Sequence, residues 1–176
     1  MEYYCAMVLT GEEKEFNKKM REYTCNKYPE SSFWFFERRL YTPKRGWFLG
    51  AIFPGYIFFC VEELTPEFTS MLRTTPGFCK ILLDNKAPTQ IKGSALEELK
   101  LFIRNGEEWG VSKVMFLPGQ KVKAVSGPLV GFEGNIIHVN KRYKQVTVQA
   151  TVVNMSMHFD LKFEHAEKVE EGNEAQ

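Results

Sequence analysis

The chain has few of the residues from which metal sites, disulfide frameworks and catalytic dyads are built. Its 176 residues include four cysteines, at positions 5, 25, 60 and 79, and three histidines. The cysteines form no C-x-x-C pair, and no histidine lies at metal-ligand spacing from them. No motif places a serine or cysteine beside a base, and both the Walker loop and the Rossmann glycine fingerprint are missing. The sequence therefore predicts no metal, no cofactor and no enzymatic activity, and the cysteines are expected to be buried, reduced thiols.

The chain also lacks long apolar runs and a strong net charge. No stretch approaches the ~20 apolar residues that are needed to cross a bilayer, and the first residues do not form a signal peptide. A net charge of +1 argues against a protein that coats nucleic acid over its whole surface. We expect a monomeric, cytoplasmic protein with no membrane partner.

Aromatic residues, by contrast, make up 14% of the chain, and their densest runs are 33–36 and 57–59. The N-terminal half should therefore contain the larger core and any adhesive surface. Apolar periodicity up to Ile103 predicts the order β-α-β-β-α-β-α, which is typical of an α+β domain with a mainly antiparallel sheet flanked by helices. The helices are expected to begin at capping boxes, Thr10–Glu13 and Ser94–Glu97, and at the N-cap residue Thr65.

The C-terminal part has a different pattern. Polar and apolar residues alternate over 121–125, a glycine- and proline-rich turn follows, and alternation returns over 146–161. Such short strands predict a small, closed β-barrel. Residues 105–115 have lost the helical period and are predicted to be a linker, and 170–176 form an acidic tail.

Three stretches carry a resemblance to a known family. The run Gly119-Gln-Lys-Val-Lys-Ala-Val-Ser-Gly-Pro-Leu-Val-Gly-Phe-Glu-Gly-Asn-Ile136 resembles the KOW motif of ribosomal and transcription-elongation proteins. Phe53-Pro-Gly-Tyr-Ile57 and Arg73-Thr-Thr-Pro-Gly77 resemble the N-terminal (NGN) domain of the NusG family of transcription elongation factors. The resemblance runs from Tyr3 to about Val169. It implies an RNA polymerase-binding NGN-like domain over 1–104 and a KOW barrel over 116–169.

The resemblance also implies which residues bind RNA polymerase. One set would line a hydrophobic depression for the coiled-coil clamp helices: Tyr3, Tyr4, Phe53, Pro54 and Tyr56. A second set would touch the opposite pincer across the DNA cleft: Arg73, Thr74 and Thr75. The alternative for the first set is a bulge that seats two aromatic rings in the core. The alternative for the second set is an ordinary helix end before a proline.

Two basic segments are candidate nucleic-acid contacts. At the tip of a predicted hairpin, arginine and lysine would pair with phosphates of exposed non-template DNA while a tryptophan stacks on a base; these residues are Arg38, Arg39, Lys44, Arg45 and Trp47. In the predicted barrel, cations interleaved with a tyrosine are typical of an RNA-contacting surface; these residues are Lys121, Lys123, Lys141, Arg142, Tyr143 and Lys144. The alternative for both segments is a charged loop that is merely solvated.

The sequence favours a specialised antiterminator, similar to LoaP-like or RfaH-like members of the family, whose barrel recruits a nascent RNA hairpin or a protein. One alternative is a general NusG that couples polymerase to Rho or to a ribosomal protein. Another is a ribosome-associated KOW protein, against which the low net charge argues. A C-terminal region that switches between helices and barrel is disfavoured by the β-branched alternation of Val146 to Leu161.

Overall fold

The computed structural model describes residues 1–82, 88–152 and 155–166. In chain order its elements are β1 (Glu2–Val8), α1 (Glu13–Thr24), β2 (Ser32–Trp34), β3 (Glu37–Thr42), β4 (Gly46–Ala51), β5 (Tyr56–Val61), α2 (Pro66–Thr74), β6 (Phe78–Ile81), α3 (Gly93–Asn105), β7 (Glu108–Trp109), β8 (Ser112–Phe116), β9 (Val122–Ser126), β10 (Ile136–Asn140), β11 (Gln145–Val152) and β12 (Met155–His165). Within the described part of the chain, no helix is long and apolar enough to span a membrane.

The N-terminal sheet has the antiparallel order β2-β5-β1-β6. Because side chains alternate along a strand, the sheet has two distinct faces. On one face, Tyr4 and its neighbours pack with Phe16 of α1 and Phe68 of α2 in one apolar cluster. On the other face, Cys5 packs with Phe102 of α3 in a second cluster. This arrangement confirms the predicted α+β class.

The three helix starts differ in how well they were predicted. Thr65 caps α2 as expected, since its hydroxyl accepts the N–H of Phe68 at 3.2 Å. The two capping boxes are wrong, because α1 and α3 begin without a side-chain cap. The carboxylate of Glu13 instead accepts the N–H groups of Gly11 and Gly55, each at 2.7 Å. The Glu13 carboxylate therefore binds the backbone of the distant Gly55 and does not complete the predicted capping box.

The cysteine prediction is also corrected at two positions, Cys25 and Cys79, of which Cys79 is half-buried. All four thiols are free, and Cys5 and Cys60 are buried as expected. Burial raises the pKa of both thiols. Cys25, however, is exposed, because it follows the last turn of α1, where its Sγ contacts the carbonyl of Glu22 at 3.1 Å.

The β3–β4 hairpin pairs from Glu37 with Ala51 to Thr42 with Gly46, and β7 adds to β3 in parallel. The stretch 105–115, predicted as an irregular linker, thus contains β7 and most of β8. Its Trp109 is only 1% exposed, and the indole N–H donates to the carbonyl of Gly106 at 2.9 Å. The proposed boundaries of the two domains remain a prediction.

The C-terminal sheet has the order β10-β11-β12-β8-β9, with β12 and β8 parallel. Five of the seven side chains predicted from the alternation to point inward are buried: Val146, Val148, Ala150, Phe159 and Leu161. Met157 is half-buried, and the side chain of Met155 is not among those that the structure describes. No pairing joins β9 to β10 among the described residues, so the sheet is curled but open rather than the closed barrel expected. The chain between those strands turns inward instead, where Leu129 and Phe132 are fully buried.

One aromatic cluster joins the two sheets, with Phe102 of α3 at its centre. Measured between ring centroids, Phe102 lies 5.0 Å from Phe53 and 5.4 Å from Phe36 in the N-terminal part. It also lies 5.2 Å from Phe132 and 5.9 Å from Phe159 in the C-terminal part. The two parts of the chain therefore share a core.

Polar contacts surround this shared core. The carboxylate of Glu98 on α3 accepts the backbone N–H of Thr151 at 3.1 Å and the side-chain amide of Asn135 at 3.5 Å. On the opposite side, the Arg38 Nε donates to the carbonyl of Asp160 at 2.8 Å. These bonds connect α3 and the hairpin to the C-terminal sheet.

Candidate binding surfaces

The Phe53–Tyr56 turn between β4 and β5 has a geometry that requires glycine. Gly55 has φ +80°, and a Cβ there would lie 3.1 Å from the Thr10 hydroxyl and 3.3 Å from the carbonyl of Val8. The Gly55 N–H is held by Glu13, and the Tyr56 N–H donates to the carbonyl of Phe53 at 3.1 Å. The turn therefore places Phe53 and Tyr56 in fixed positions on the sheet face that α1 and α2 do not cover.

Three half-buried rings remain accessible on that face, and we call Tyr3, Trp34 and Tyr56 the aromatic face. Tyr3 and Trp34 are stacked, with ring centroids 6.2 Å apart and an interplanar angle of 11°. Trp34 was not among the predicted site residues. The only sign of Trp34 in the sequence was the aromatic run 33–36. Because side chains alternate along β2, Trp34 points to this face and Phe33 to the other.

Tyr4 and Phe53 were predicted to share this surface, but Tyr4 lies on the other face of the sheet and Phe53 is buried. Tyr4 lies on the opposite face of the sheet, 6% exposed, with its ring stacked on Phe59 and its hydroxyl donating to Glu2 at 2.9 Å. Burial, together with the hydrogen bond and the charge of Glu2, raises the pKa of Tyr4 to about 12. Phe53 is 1% exposed, and the ring of Phe159 lies 6.3 Å from it.

The predicted second polymerase contact lies at the C-terminal end of α2. Arg73 and Thr74 are exposed there. Pro54, which was predicted as part of the first contact, is also exposed, at the β4–β5 turn. Thr75 is 3% exposed, and its hydroxyl donates to the carbonyl of Met71 at 2.8 Å. Thr75 therefore stabilises the end of the helix, whereas Arg73 and Thr74 are accessible.

The hairpin carries an exposed aromatic pair beside its cations. Trp47 is 58% and Tyr41 is 47% exposed, and their ring centroids are 5.5 Å apart. Arg39, Lys44 and Arg45 are exposed, and the Arg45 guanidinium lies 4.4 Å from the centroid of Phe48. The accessible cations and rings of the hairpin are therefore close neighbours.

Arg38 differs from these residues, although it belongs to the same strand. Its guanidinium donates to the carbonyls of Asp160 and Ala51. Burial lowers the pKa of Arg38, against the opposing effect of Asp160. These bonds would have to break before Arg38 paired with a phosphate.

The five cations that were predicted to contact RNA are all exposed: Lys121, Lys123, Lys141, Arg142 and Lys144. None of the five forms a salt bridge within residues 1–82, 88–152 and 155–166. The Lys141 ammonium lies 4.6 Å from the centroid of Phe116, which brings the β10–β11 turn beside the end of β8. A cavity of about 970 Å³ between β9 and β10 is lined by Lys121, His138 and Lys141, among others.

Comparison with known proteins identifies the family. The family model described as "Transcription termination factor nusG" matches residues 1–100. The chain belongs to the NusG family. Family membership makes it a transcription termination/antitermination factor, and because the members are transcription factors, it supports the prediction of a non-enzymatic protein.

Two relatives named "Transcription termination/antitermination protein NusG" illustrate the similarity. The protein from Xylella fastidiosa is 26% identical over 127 residues, which span 66% of this chain and 68% of that protein. The Thermus thermophilus protein is 25% identical over 123 residues, 66% of this chain and 67% of that protein. The solved structure described as "Domain interaction in Thermotoga maritima NusG" has a TM-score of 0.53 at 19% identity and covers 92% of this chain and 93% of its own, which shows a common fold.

Proposed function

We propose that this NusG-family protein is an elongation factor that binds the clamp helices of RNA polymerase and suppresses pausing or termination, while its C-terminal sheet recruits RNA. The observation that carries the proposal is the aromatic face. Tyr3, Trp34 and Tyr56 present partly exposed rings on one face of the N-terminal sheet, and the Gly55 turn holds Tyr56 in place. A coiled coil presents an apolar ridge to such a surface, and aromatic anchors dominate interfaces of this kind.

The position of Phe53 adds a condition to this proposal. Phe53 adjoins the aromatic face in sequence, yet it is packed against Phe102 and Phe159. Polymerase would reach Phe53 only if the C-terminal sheet moved away from α3. Docking through Phe53 would therefore compete with the packing of the two parts of the chain. The fraction of molecules bound through Phe53 would depend on the difference between the free energy of docking and the free energy of that packing.

The remaining exposed residues support further contacts with the transcription complex. Arg73 and Thr74 at the end of α2 would touch the opposite pincer of polymerase. Arg39, Lys44 and Arg45 of the hairpin would approach the non-template DNA strand, because guanidinium and ammonium groups pair with phosphates.

Recruitment by RNA is supported by the charge of the C-terminal sheet. Five exposed cations without a salt bridge to any described residue form a strong phosphate-binding surface, beside which Tyr143 is 61% exposed. Recruitment of an RNA hairpin by the C-terminal sheet would resemble that of specialised antiterminators in the family, which act on particular transcripts.

Binding of RNA polymerase to single-site variants tests the docking proposal. Tyr56→Ala and Trp34→Ala should each weaken binding of the full chain to polymerase core enzyme by roughly tenfold or more. Tyr23→Ala is the matched control, since Tyr23 is an exposed aromatic residue of α1 on the other side of the domain. Unchanged binding of the first two variants would contradict docking through the aromatic face.

A further inference from the structure

We infer that the β3–β4 hairpin and the β10–β11 turn together form one cleft that binds a single strand of nucleic acid. The inference rests on the proposed function only in taking nucleic acid as the ligand class. The cleft is a cavity of about 200 Å³ with Tyr41 and Trp47 on the hairpin side and Tyr143, Lys144 and Phe163 on the side of the C-terminal sheet. Two segments distant in sequence, each predicted as a separate nucleic-acid contact, thus line the same cavity.

The aromatic rings argue for bases as the ligand. Tyr41, Trp47 and Tyr143 are 47%, 58% and 61% exposed, although large rings of this kind contribute most to stability when they are buried. They surround one cavity instead of being scattered over the surface. Base stacking on exposed aromatic rings is the main apolar contribution in single-strand binding, and it needs no particular base.

The charged residues around the rings argue for a phosphate backbone. Lys144 and Lys162 line the cavity, and the Arg142 guanidinium lies 5.6 Å from the centroid of Tyr143. Glu164 is the acid in the lining, and a carboxylate beside stacked bases can accept hydrogen bonds from their amino groups. Stacking rings with cations beside them fit a nucleic acid strand better than an apolar peptide.

The hydrogen bonds of the turn hold its side of the cleft in place before any ligand arrives. The Lys162 ammonium and the Phe163 N–H donate to the carbonyls of Tyr143 and Lys144, each at 3.0 Å. The Tyr143 N–H donates to the Asn140 side chain at 3.1 Å. Lys144 adopts φ +48°, which turns the chain sharply at this point. A preorganised site loses less entropy when it binds.

A second cavity, of about 510 Å³, continues the cleft along the hairpin. Trp47, Val111 and Glu164 line both cavities, and Arg39 lines the second. A strand could therefore run from Arg39, past Trp47, to Tyr143. The cleft exists only while the two sheets are packed together, so the bound strand would stabilise the arrangement in which Phe53 is covered.

The test uses the full chain and labelled homopolymers of about 12 nucleotides, oligo-uridine RNA and oligo-thymidine DNA, a length within the usual range for such grooves. Trp47→Ala and Tyr143→Ala should each weaken binding of the same probe by roughly tenfold. Tyr23→Ala, an equally exposed aromatic residue on α1, should leave it unchanged. Binding should quench tryptophan fluorescence in the wild type and much less in Trp47→Ala, because Trp109 is buried and Trp34 does not line the cleft.

The RNA and DNA arms identify the source of the strand. Tighter binding of either probe, or equal binding of both, supports the cleft as long as both substitutions weaken it. If Tyr143→Ala lost only RNA binding and Trp47→Ala lost only DNA binding, the two residues would belong to separate sites. That result would overturn the inference. Absence of binding at low salt would also overturn it. Polymerase is absent from these titrations, so their failure is distinct from failure of docking.

Discussion

The two sheets of this protein differ in how their faces are covered. The N-terminal sheet packs apolar clusters on both faces, one with α1 and α2 and the other with α3 and the C-terminal sheet. The C-terminal sheet buries one face and exposes polar side chains such as Thr151, Ser156 and His158 on the other. The first sheet therefore offers a partner aromatic rings and shape, whereas the second offers charge. We expect polymerase docking to respond little to salt and nucleic-acid binding to weaken steeply with it.

The largest effect on this comparison is expected at Phe102 of α3, which packs against both sheets. Phe102→Ala should lower the free energy of unfolding by about 3–5 kcal/mol, because a fully buried ring is removed from the centre of the aromatic cluster. Hydrogen exchange should show the loss of protection in both β5 and β11. The control Tyr23→Ala should change stability by less than ~0.5 kcal/mol. Faster exchange in only one sheet would show that the two parts are energetically separate.

The sequence was sufficient where a structure depends on neighbouring residues. Alternation predicted which side chains of β11 and β12 point inward, and Thr65 was recognised as a helix cap. The sequence was insufficient where contacts with distant residues determine the position of a side chain. The side chain of Glu13 is used by Gly55 instead of the cap, and Phe53 is covered by Phe159.

The candidate sites show the same division. The resemblance selected Tyr3, Tyr4, Phe53 and Tyr56 together, but strand alternation places Tyr4 on the opposite face and tertiary packing buries Phe53. The cleft could not be predicted at all, because Trp47 and Tyr143 are brought together only by the contact of the hairpin with the C-terminal sheet.

Arg38 allows the contact between the sheets to be weakened without removing an apolar side chain. Arg38→Ala removes the bonds to the carbonyls of Ala51 and Asp160 and should cost about 1.5–3 kcal/mol, as expected for hydrogen bonds of a charged group. If docking competes with this contact, polymerase binding should become severalfold tighter as Phe53 is uncovered. Binding is measured with core polymerase free of nucleic acid, and Arg39→Ala is the control, because Arg39 is the exposed neighbour on the same strand and its proposed ligand is then absent. Equal behaviour of the two variants would contradict a role for Arg38 in holding the sheets together.

Glu98 should make the same contact weakly dependent on pH. Burial raises the pKa of Glu98 above its ordinary value of 4.5, while the hydrogen bond from the Thr151 N–H acts in the opposite direction. Because the raised pKa means that the folded state binds the proton more tightly than the unfolded state, the free energy of unfolding gains a contribution below pH 4.5 that is lost as the pH rises through the folded pKa. Glu98→Gln cannot titrate and keeps an oxygen that can accept the bond. In urea unfolding, the stability of Glu98→Gln relative to wild type should therefore increase as the pH rises through this range. The increase should be less than about 1 kcal/mol, because Glu98 is only half-buried. A shift of the opposite sign would mean that the hydrogen bond from Thr151 outweighs burial.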